Sequence, residues 1–106
     1  MEDKGNKSAF QSISLYEKRG ETSVYIDASI TRAGDLQLYG QDIGSAPSGA
    51  FGDSDYEYWL TVPGEHKDRV LLLLLKRLYG GDSTAVTGLR VFLESEGIPC
   101  KFTTWV

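Results

Sequence analysis

The sequence predicts an α+β fold, in which two helices pack on one face of an antiparallel β-sheet and the elements follow the order β-β-β-β-α-α-β. Three features indicate this fold. Apolar and polar residues alternate in four segments before Pro63, apolar residues recur at helical spacing in two segments after it, and an aromatic, β-branched segment ends the chain. The length of 106 residues fits one domain. We expect this domain to cover residues 9–106, after a flexible polar tail at residues 1–8.

The first two predicted strands are neighbours in a meander. The segment FQSISLY, residues 10–16, places Ile13 and Leu15 on one side and the remaining residues, including Tyr16, on the other. The segment SVYIDASI has the clearest alternation, because one of its faces is entirely apolar. Its outward face carries Tyr25, Asp27 and Ser29.

The third and fourth predicted strands complete the sheet. A turn at residues 32–35 leads into DLQLYGQ, which forms a hairpin with the strand before it and directs Tyr39 outward. Residues 42–54 are rich in Gly and Ser and are predicted to form a long loop. The fourth strand, DYEYWLTV, then directs Asp55, Glu57 and Trp59 outward.

The first helix is predicted from Glu65 to Tyr79, because its apolar residues fall on one broad stripe at about 100° per residue. Gly80 and Gly81 offer a C-terminal stop. The stripe that we expect to pack on the sheet consists of Val70, Leu71, Leu74, Leu75 and Leu78.

A second helix is predicted to run to Glu96. Asp82 or Ser83 is its expected N-cap, and Gly97 is its expected left-handed terminator. The segment CKFTTWV, residues 100–106, is predicted to be the closing strand because it is rich in aromatic and β-branched residues.

Charge is distributed unevenly along the chain. The 11 basic and 15 acidic residues give a formal net charge of −4, yet between Gly20 and Gly64 seven acidic residues accompany a single base, Arg32. Nucleic-acid recognition needs clustered Lys and Arg, so this distribution argues against direct nucleic-acid binding. It favours a basic protein partner. The alternative is that the acidic residues only keep the domain soluble.

Several classes of protein are disfavoured by the sequence. The longest unbroken apolar run, Val70–Leu75, is much shorter than the about 20 residues that cross a bilayer. No apolar run of signal-peptide length follows Met1, so we expect a cytoplasmic protein. Cys100 is the only cysteine and His66 the only histidine, which is too few for a disulfide or a structural zinc site.

The chain carries no recognisable catalytic or metal-binding motif. Asp53, Asp55 and Glu57 alternate in the manner of a calcium loop. An EF-hand, however, requires Gly at the sixth position and Glu at the twelfth, and this sequence has Tyr58 and Gly64 there. A nucleophile elbow is also missing from the sequence. We therefore expect no metal, no cofactor and no enzymatic activity.

The outward face of the predicted sheet combines aromatic and acidic side chains. Alternation places Tyr25, Tyr39 and Trp59 there, together with Asp27 and Glu57. Interfaces concentrate binding energy in Tyr and Trp, and carboxylates beside them select a basic partner. The pattern therefore predicts a protein-binding face. Alternatively, the rings stabilise the sheet as cross-strand pairs and the closing strand covers them.

Three motifs resemble those of a known group of proteins. They are GDLQLYGQDIG, DYEYWLTV and GIPCKFTTW, and the likeness extends from about Val24 to Trp105. Together they resemble small bacterial immunity proteins of polymorphic or contact-dependent toxin systems. The resemblance implies stoichiometric binding, in which such a protein binds its cognate toxin in the cytoplasm and blocks the toxin's active site or substrate path.

The resemblance transfers no functional residues, so the contact residues are a hypothesis based on charge and on the outward face. We expect the toxin to be a nuclease, because a basic substrate groove suits carboxylates that compete with phosphate. The protein is expected to be a monomer or a weak homodimer. The alternatives are a self-associating structural or regulatory module and, less favoured, a small enzyme. The candidate contact residues are Asp42, Asp53, Asp55 and Glu57, the anchors Tyr39 and Trp59, and the neighbouring Tyr25 and Asp27.

Overall fold

The computed structural model of the protein describes residues 9–44 and 55–105. These residues form a four-stranded antiparallel sheet followed by two helices, which confirms the α+β fold. A 3₁₀ turn over Gly64–His66 precedes the first helix. The predicted tail at residues 1–8 lies outside the described residues. The strands are β1 (Ala9–Lys18), β2 (Thr22–Thr31), β3 (Leu36–Gly44) and β4 (Tyr56–Val62), and the helices are α1 (Lys67–Tyr79) and α2 (Ala85–Ser95).

The strands lie in the sheet in their sequence order, and each pairs antiparallel with the next. Because side chains alternate along a strand, the register sorts them onto two faces. The faces predicted for β2, β3 and β4 are confirmed by this register. The apolar face carries Val24, Ile26, Ala28, Ile30, Leu36, Leu38, Leu60 and Val62. The polar face carries Tyr25, Asp27, Ser29, Gln37, Tyr39, Gln41, Glu57, Trp59 and Thr61.

A register shift between Ser14 and Tyr16 interrupts the alternation of β1. Before the shift Ile13 pairs with Ala28, and after it Tyr16 pairs with Ile26. Ile13 and Tyr16 therefore share the apolar face, and the prediction that they lie on opposite sides is wrong. The reason is that an extra residue in one strand reverses the parity of all residues beyond it.

The turn between β2 and β3 is tied to the end of β4 by Asp35. Gly34 has a φ of +92°, a left-handed conformation that glycine adopts without strain. The Asp35 N–H donates to Thr31 Oγ1 at 3.1 Å, and the Asp35 carboxylate accepts from the Gly64 N–H at 2.8 Å. One side chain thus holds together a hairpin turn and the start of the 3₁₀ turn. The turn predicted at residues 32–35 is confirmed.

Gly40 permits a close approach on the apolar face. The ring of its register partner Tyr58 lies against the Gly40 backbone, where a β-carbon would overlap it. Tyr56 packs beside Tyr58 with the ring centroids 5.3 Å apart. An aromatic ring on a neighbouring strand compensates for the missing side chain of a glycine in a sheet.

The chain forms two compact units, the first ending at Arg69 and the second beginning at Val70. In the second unit α1 ends at Tyr79, and Gly81 follows with a φ of +80°. The predicted C-terminal stop is therefore confirmed. The first turn of the predicted helix differs, because Gly64–His66 is a 3₁₀ turn and α1 begins at Lys67.

The connection between the helices is an Asp-centred turn. The Asp82 carboxylate accepts hydrogen bonds from the N–H of Thr84 at 2.8 Å and from its hydroxyl at 2.6 Å. Thr84 is the N-cap residue of α2, and its side chain makes no capping hydrogen bond. The prediction of a cap at Asp82 or Ser83 is wrong, because the helix begins later. The Asp82 carboxylate accepts its hydrogen bonds within the turn that precedes the helix.

The C-terminal end of α2 has the geometry of a Schellman motif. Gly97 has a φ of +72°, its N–H donates to the Glu94 carbonyl, and the Ile98 N–H donates to the Leu93 carbonyl at 2.9 Å. The predicted left-handed terminator is confirmed. The chain then returns along α2, where the guanidinium of Arg90 lies 4.8 Å from the centroid of the Phe102 ring.

The closing strand predicted at residues 100–106 is wrong for residues 100–105, which have no strand structure. A strand needs hydrogen bonds from a sheet edge, and the sheet of the described chain contains β1 to β4 alone. Cys100, Lys101 and Phe102 instead line an apolar depression of about 200 Å³ against α2. Val106 lies outside the described residues.

Among the described residues, no helix combines the length and the apolar character needed to cross a bilayer. The longer one, α1, has 13 residues, whereas a spanning helix needs about 20. The expected packing of the two helices on one face of the sheet stays a prediction, as does the single domain over residues 9–106.

Candidate functional site

The candidate site is the polar face of the sheet, with Tyr39 at its centre. Because β3 lies between β2 and β4, Tyr39 has a register partner on each side, Asp27 and Trp59. Both partners and Tyr39 were predicted to share this face. Tyr25 and Glu57 lie on it as well, so the sheet brings together most of the predicted contact residues.

Tyr39 lies on the expected face, but it is not the exposed anchor that the alternation predicted. Tyr39 is only 3% exposed. The Trp59 ring lies beside it with the centroids 5.4 Å apart and the planes tilted by 41°. The Tyr39 hydroxyl donates a hydrogen bond to Glu57 Oε2 at 2.8 Å. A ring on a central strand is buried by side chains from both neighbouring strands, and this depth cannot be deduced from period two alone.

Trp59 is the exposed aromatic residue of this face, on the edge strand of the sheet. It lies on β4 and is 53% exposed. Glu57 is half-buried next to it on the same face, and Asp55, one step before β4, is exposed. A Trp flanked by carboxylates combines a large rigid apolar contact with selection for positive charge. Of the two rings expected to be exposed anchors, Trp59 is exposed and Tyr39 is buried.

An open depression of about 400 Å³ lies on the other side of Tyr39, over β1 and β2. Two carboxylates and two phenol rings contribute to its lining. It is lined by Ser14, Glu17, Tyr25, Asp27, Tyr39 and Gln41.

A guanidinium group of the chain itself lies at the rim of this depression. Arg19 Nε donates a hydrogen bond of 2.7 Å to Glu17 Oε2. This hydrogen bond and the negative charge of Glu17 raise the pKa of Arg19, and Tyr25 adds a smaller electrostatic contribution. The Arg19 side chain is 77% exposed, so the pair is well solvated and contributes little to stability.

The sequence analysis missed Glu17 as a member of the site. The bulge in β1 places it opposite Tyr25, on the polar face. Strict alternation assigns it to the side of Ile13, which the structure places on the apolar face. A basic residue two positions along the chain, Arg19, is a signal in the sequence that could have marked this corner of the sheet.

Asp42 was predicted as a contact residue and lies on the opposite face. It belongs to β3, where its register partners are Val24 and Tyr56. Tyr58 donates a hydrogen bond to Asp42 Oδ1 at 3.3 Å, and desolvation of the phenol, followed by the charge of Asp42, raises the pKa of Tyr58. The loop predicted over residues 42–54 is wrong for residues 42–44, because these pair with β2, and residues 45–54 lie outside the described residues.

Asp53, the remaining predicted contact residue, lies outside the described residues.

On the polar face, the described strands carry Glu17, Asp27 and Glu57, and they place no Lys or Arg there. The face is therefore negative, with Arg19 at its edge as a partial counter-charge.

The polar face offers hydrogen-bond acceptors, negative charge and aromatic rings. These groups bind ammonium and guanidinium ions by charge-assisted hydrogen bonds and by stacking. In the described part of the chain, no three His, Cys, Asp or Glu side chains are grouped so that they could hold a metal ion. His66 lies on the 3₁₀ turn, where its Nε2 is 3.3 Å from an oxygen of Glu65 and both side chains are exposed.

Comparison with known proteins gives no relative from which a function could be assigned. The chain matches no family model, no curated protein and no solved structure.

Proposed function

We propose that this protein is an immunity protein, which binds a basic bacterial toxin domain through the polar face of its sheet and blocks that toxin by stoichiometric occlusion in the cytoplasm. The motifs GDLQLYGQDIG, DYEYWLTV and GIPCKFTTW support the class of protein. The observation that carries the choice of surface is the exposed Trp59 on a face that bears carboxylates and, within the described strands, no basic residue.

The rigid scaffold beneath Trp59 favours tight binding. The ring lies against the buried Tyr39, whose hydroxyl also holds Glu57 in place. A side chain that is already ordered loses less conformational entropy when a partner covers it. Trp59 and Glu57 therefore form a preorganised pair of an apolar anchor and a charged acceptor.

The charge of the surface favours a nuclease as the toxin. A nuclease holds phosphate in a groove lined with Lys and Arg, and carboxylates offer acceptors that these groups pair with strongly. Complementary charge also accelerates association, so a newly made toxin is bound before it reaches its substrate. Occlusion of this kind requires one protein molecule per toxin and no chemical step.

The first test is rescue of bacterial cells. If the neighbouring gene encodes a large secreted protein with a variable C-terminal domain, that domain is the candidate toxin, and its expression is expected to stop growth. Co-expression of this chain should restore growth, and calorimetry on the purified pair should give a 1:1 complex. A folded, well-expressed chain that neither rescues growth nor binds the domain contradicts the proposed function.

A second test locates the surface by charge reversal. Replacement of Asp53, Asp55 and Glu57 by Lys should raise the dissociation constant by about tenfold or more, equivalent to about 1.4 kcal/mol. The matched control replaces Glu65, Asp68 and Glu96 by Lys and changes the net charge by the same amount as the first variant. These three residues are exposed and lie outside the sheet. Circular dichroism checks that both variants are folded. Equal affinity in the two variants shows that the contact lies elsewhere.

Self-association is the second candidate function, and exposed apolar side chains favour it. Ile13 and Leu60 are both 61% exposed on the apolar face, and Tyr56 is 63% exposed on the same face. A second copy of the chain is a partner that would cover such side chains. Sedimentation analysis across concentrations tests this function, since a stable dimer abolished by Leu60→Glu supports it and a monomer at every concentration contradicts it.

A further inference from the structure

The depression beside Tyr39 has a composition that suits one particular ligand group. Glu17 and Asp27 supply carboxylates from two neighbouring strands, and the half-buried Tyr25 supplies ring surface beside them. Gln41 adds an amide at the β3 side. Acceptors around an aromatic surface form a site that a flat, delocalised cation fills better than a spherical one.

Arg19 shows that Glu17 can bind a guanidinium group. Its guanidinium binds Glu17 from the rim, in a geometry with a 2.7 Å hydrogen bond. The pair is exposed and therefore exchanges readily with water and with other cations. Asp27 lies further along the polar face, opposite Ser14 in β1 and Tyr39 in β3.

We propose that this depression receives an arginine side chain of the toxin, with Glu17 and Asp27 as its carboxylate acceptors and the ring of Tyr25 as its stacking surface. The inference rests on the proposed function, because it specifies which group of a basic partner enters the polar face. Trp59 and this depression lie on opposite sides of Tyr39, so the proposal has two separate subsites, one for an apolar group and one for a cation.

Arginine fits the subsite better than lysine for three reasons. The planar guanidinium stacks on a phenol ring, whereas an ammonium group is compact and strongly hydrated. Its five N–H donors reach two carboxylates at once. Its weaker hydration also lowers the cost of leaving water, which matters in an open depression where the gain from each contact is small.

The test adds N-acetyl-L-arginine amide, as a probe, to the complete chain and measures its binding by NMR. The backbone amides of the lining residues should shift in a saturable manner, and the neutral citrulline analogue should leave them unchanged. The lysine analogue should bind at least about threefold more weakly, because it cannot stack and pairs with one carboxylate at a time. Shifts outside the depression, no shifts, or equal binding of arginine and lysine overturn the proposal.

Two variants with opposite expected effects separate recognition from folding. Asp27→Asn should weaken binding of the arginine probe by about fivefold or more, since a charge-assisted hydrogen bond becomes a neutral one. Arg19→Ala should strengthen binding by about twofold or more, since it releases Glu17 from its internal partner. Asp68→Asn, an exposed change on α1, is the matched control and should have no effect. Loss of binding in both Asp27→Asn and Arg19→Ala contradicts the assignment.

This experiment fails independently of the proposed function. If cells are rescued and the toxin binds but the arginine probe does not, the depression is not the arginine subsite and the immunity function stands. If the probe binds as expected and no toxin is neutralised, the subsite stands as a guanidinium site and the proposed function is wrong.

Discussion

The hydroxyl of Tyr39 donates a 2.8 Å hydrogen bond to Glu57, so a buried ring of the sheet holds a carboxylate of the proposed contact surface. The two residues lie on neighbouring strands, with Trp59 as the register partner of Tyr39 and Glu57 two residues before Trp59. This relationship couples stability and binding, because one side chain supports both the sheet and the position of a charge.

Tyr39→Phe removes that hydroxyl and keeps the ring. We expect the free energy of unfolding to fall by about 1–2 kcal/mol, because a part-buried hydrogen bond to a charged acceptor is lost. Urea denaturation measures the change. Tyr56→Phe, at a residue that is 63% exposed, is the control and should change stability by less than about 0.5 kcal/mol. An unchanged stability in Tyr39→Phe contradicts this account of the pair.

The faces of β2, β3 and β4 could be predicted because apolar and polar residues alternate regularly along β2 and β4 and over residues 36–39 of β3. Their register, including Ala28 opposite Leu38 and Leu38 opposite Leu60, follows that pattern. β1 could not be predicted in full, because its bulge lies among residues whose types fit either parity. As a result Glu17, and with it the depression, was not foreseen.

The remaining predictions were limited because the sequence does not show how deeply a side chain is buried or which strands pair across the chain. Alternation assigns Tyr39 to a face but does not show that neighbouring strands bury it there. The residue types of the C-terminal segment predict a strand, yet a strand also needs an edge to pair with, which local sequence does not reveal. In the structure the Schellman motif at Gly97 turns this segment back along α2, where Phe102 meets Arg90.

Gly40→Ala tests the close approach of Tyr58. The added β-carbon overlaps the Tyr58 ring, so the ring must move away from the strand and loses its contact with Asp42. We expect a loss of about 1–3 kcal/mol in the free energy of unfolding.

A double-mutant cycle isolates the overlap at Gly40. In a Tyr58→Ala background the ring is absent, so adding Gly40→Ala should then cost less than about 1 kcal/mol. Thermal or urea denaturation of the four proteins gives the coupling energy. If Gly40→Ala is equally harmful in both backgrounds, the reason is backbone conformation and not the ring.

Asp35→Ala tests the connection between the hairpin turn and the 3₁₀ turn. It leaves the Gly64 N–H without the carboxylate that accepts its hydrogen bond, and we expect a loss of about 1–2 kcal/mol. Asp35→Asn retains an acceptor oxygen and should lose less than Asp35→Ala. Hydrogen exchange of the Gly64 amide gives a local measure, since it should accelerate in Asp35→Ala beyond the change in its neighbours. Unchanged exchange at Gly64 shows that the hydrogen bond contributes nothing.

The turn before α2 predicts a dependence on acid pH. The hydroxyl of Thr84, followed by its N–H, donates to Asp82 and lowers the pKa of this carboxyl in the folded chain. In the unfolded chain these hydrogen bonds are absent and the pKa is ordinary. The folded state is therefore favoured at pH values above the ordinary pKa of Asp, and this contribution is lost as the pH falls through the lowered pKa of Asp82.

Thr84→Val removes the hydroxyl donor and keeps the N–H, so it should raise the pKa of Asp82 toward the ordinary value without fully reaching it. Thr84→Ser retains a hydroxyl and should keep the pKa low. A ¹³C NMR titration of the Asp82 carboxyl from pH 7 to strong acid measures both, and thermal unfolding over the same range should show a smaller loss of stability on acidification in Thr84→Val. Ser83→Ala, next to the turn, is the control. Identical titration curves for Thr84→Val and the unaltered chain contradict the assignment, because the remaining N–H would then account for the whole effect.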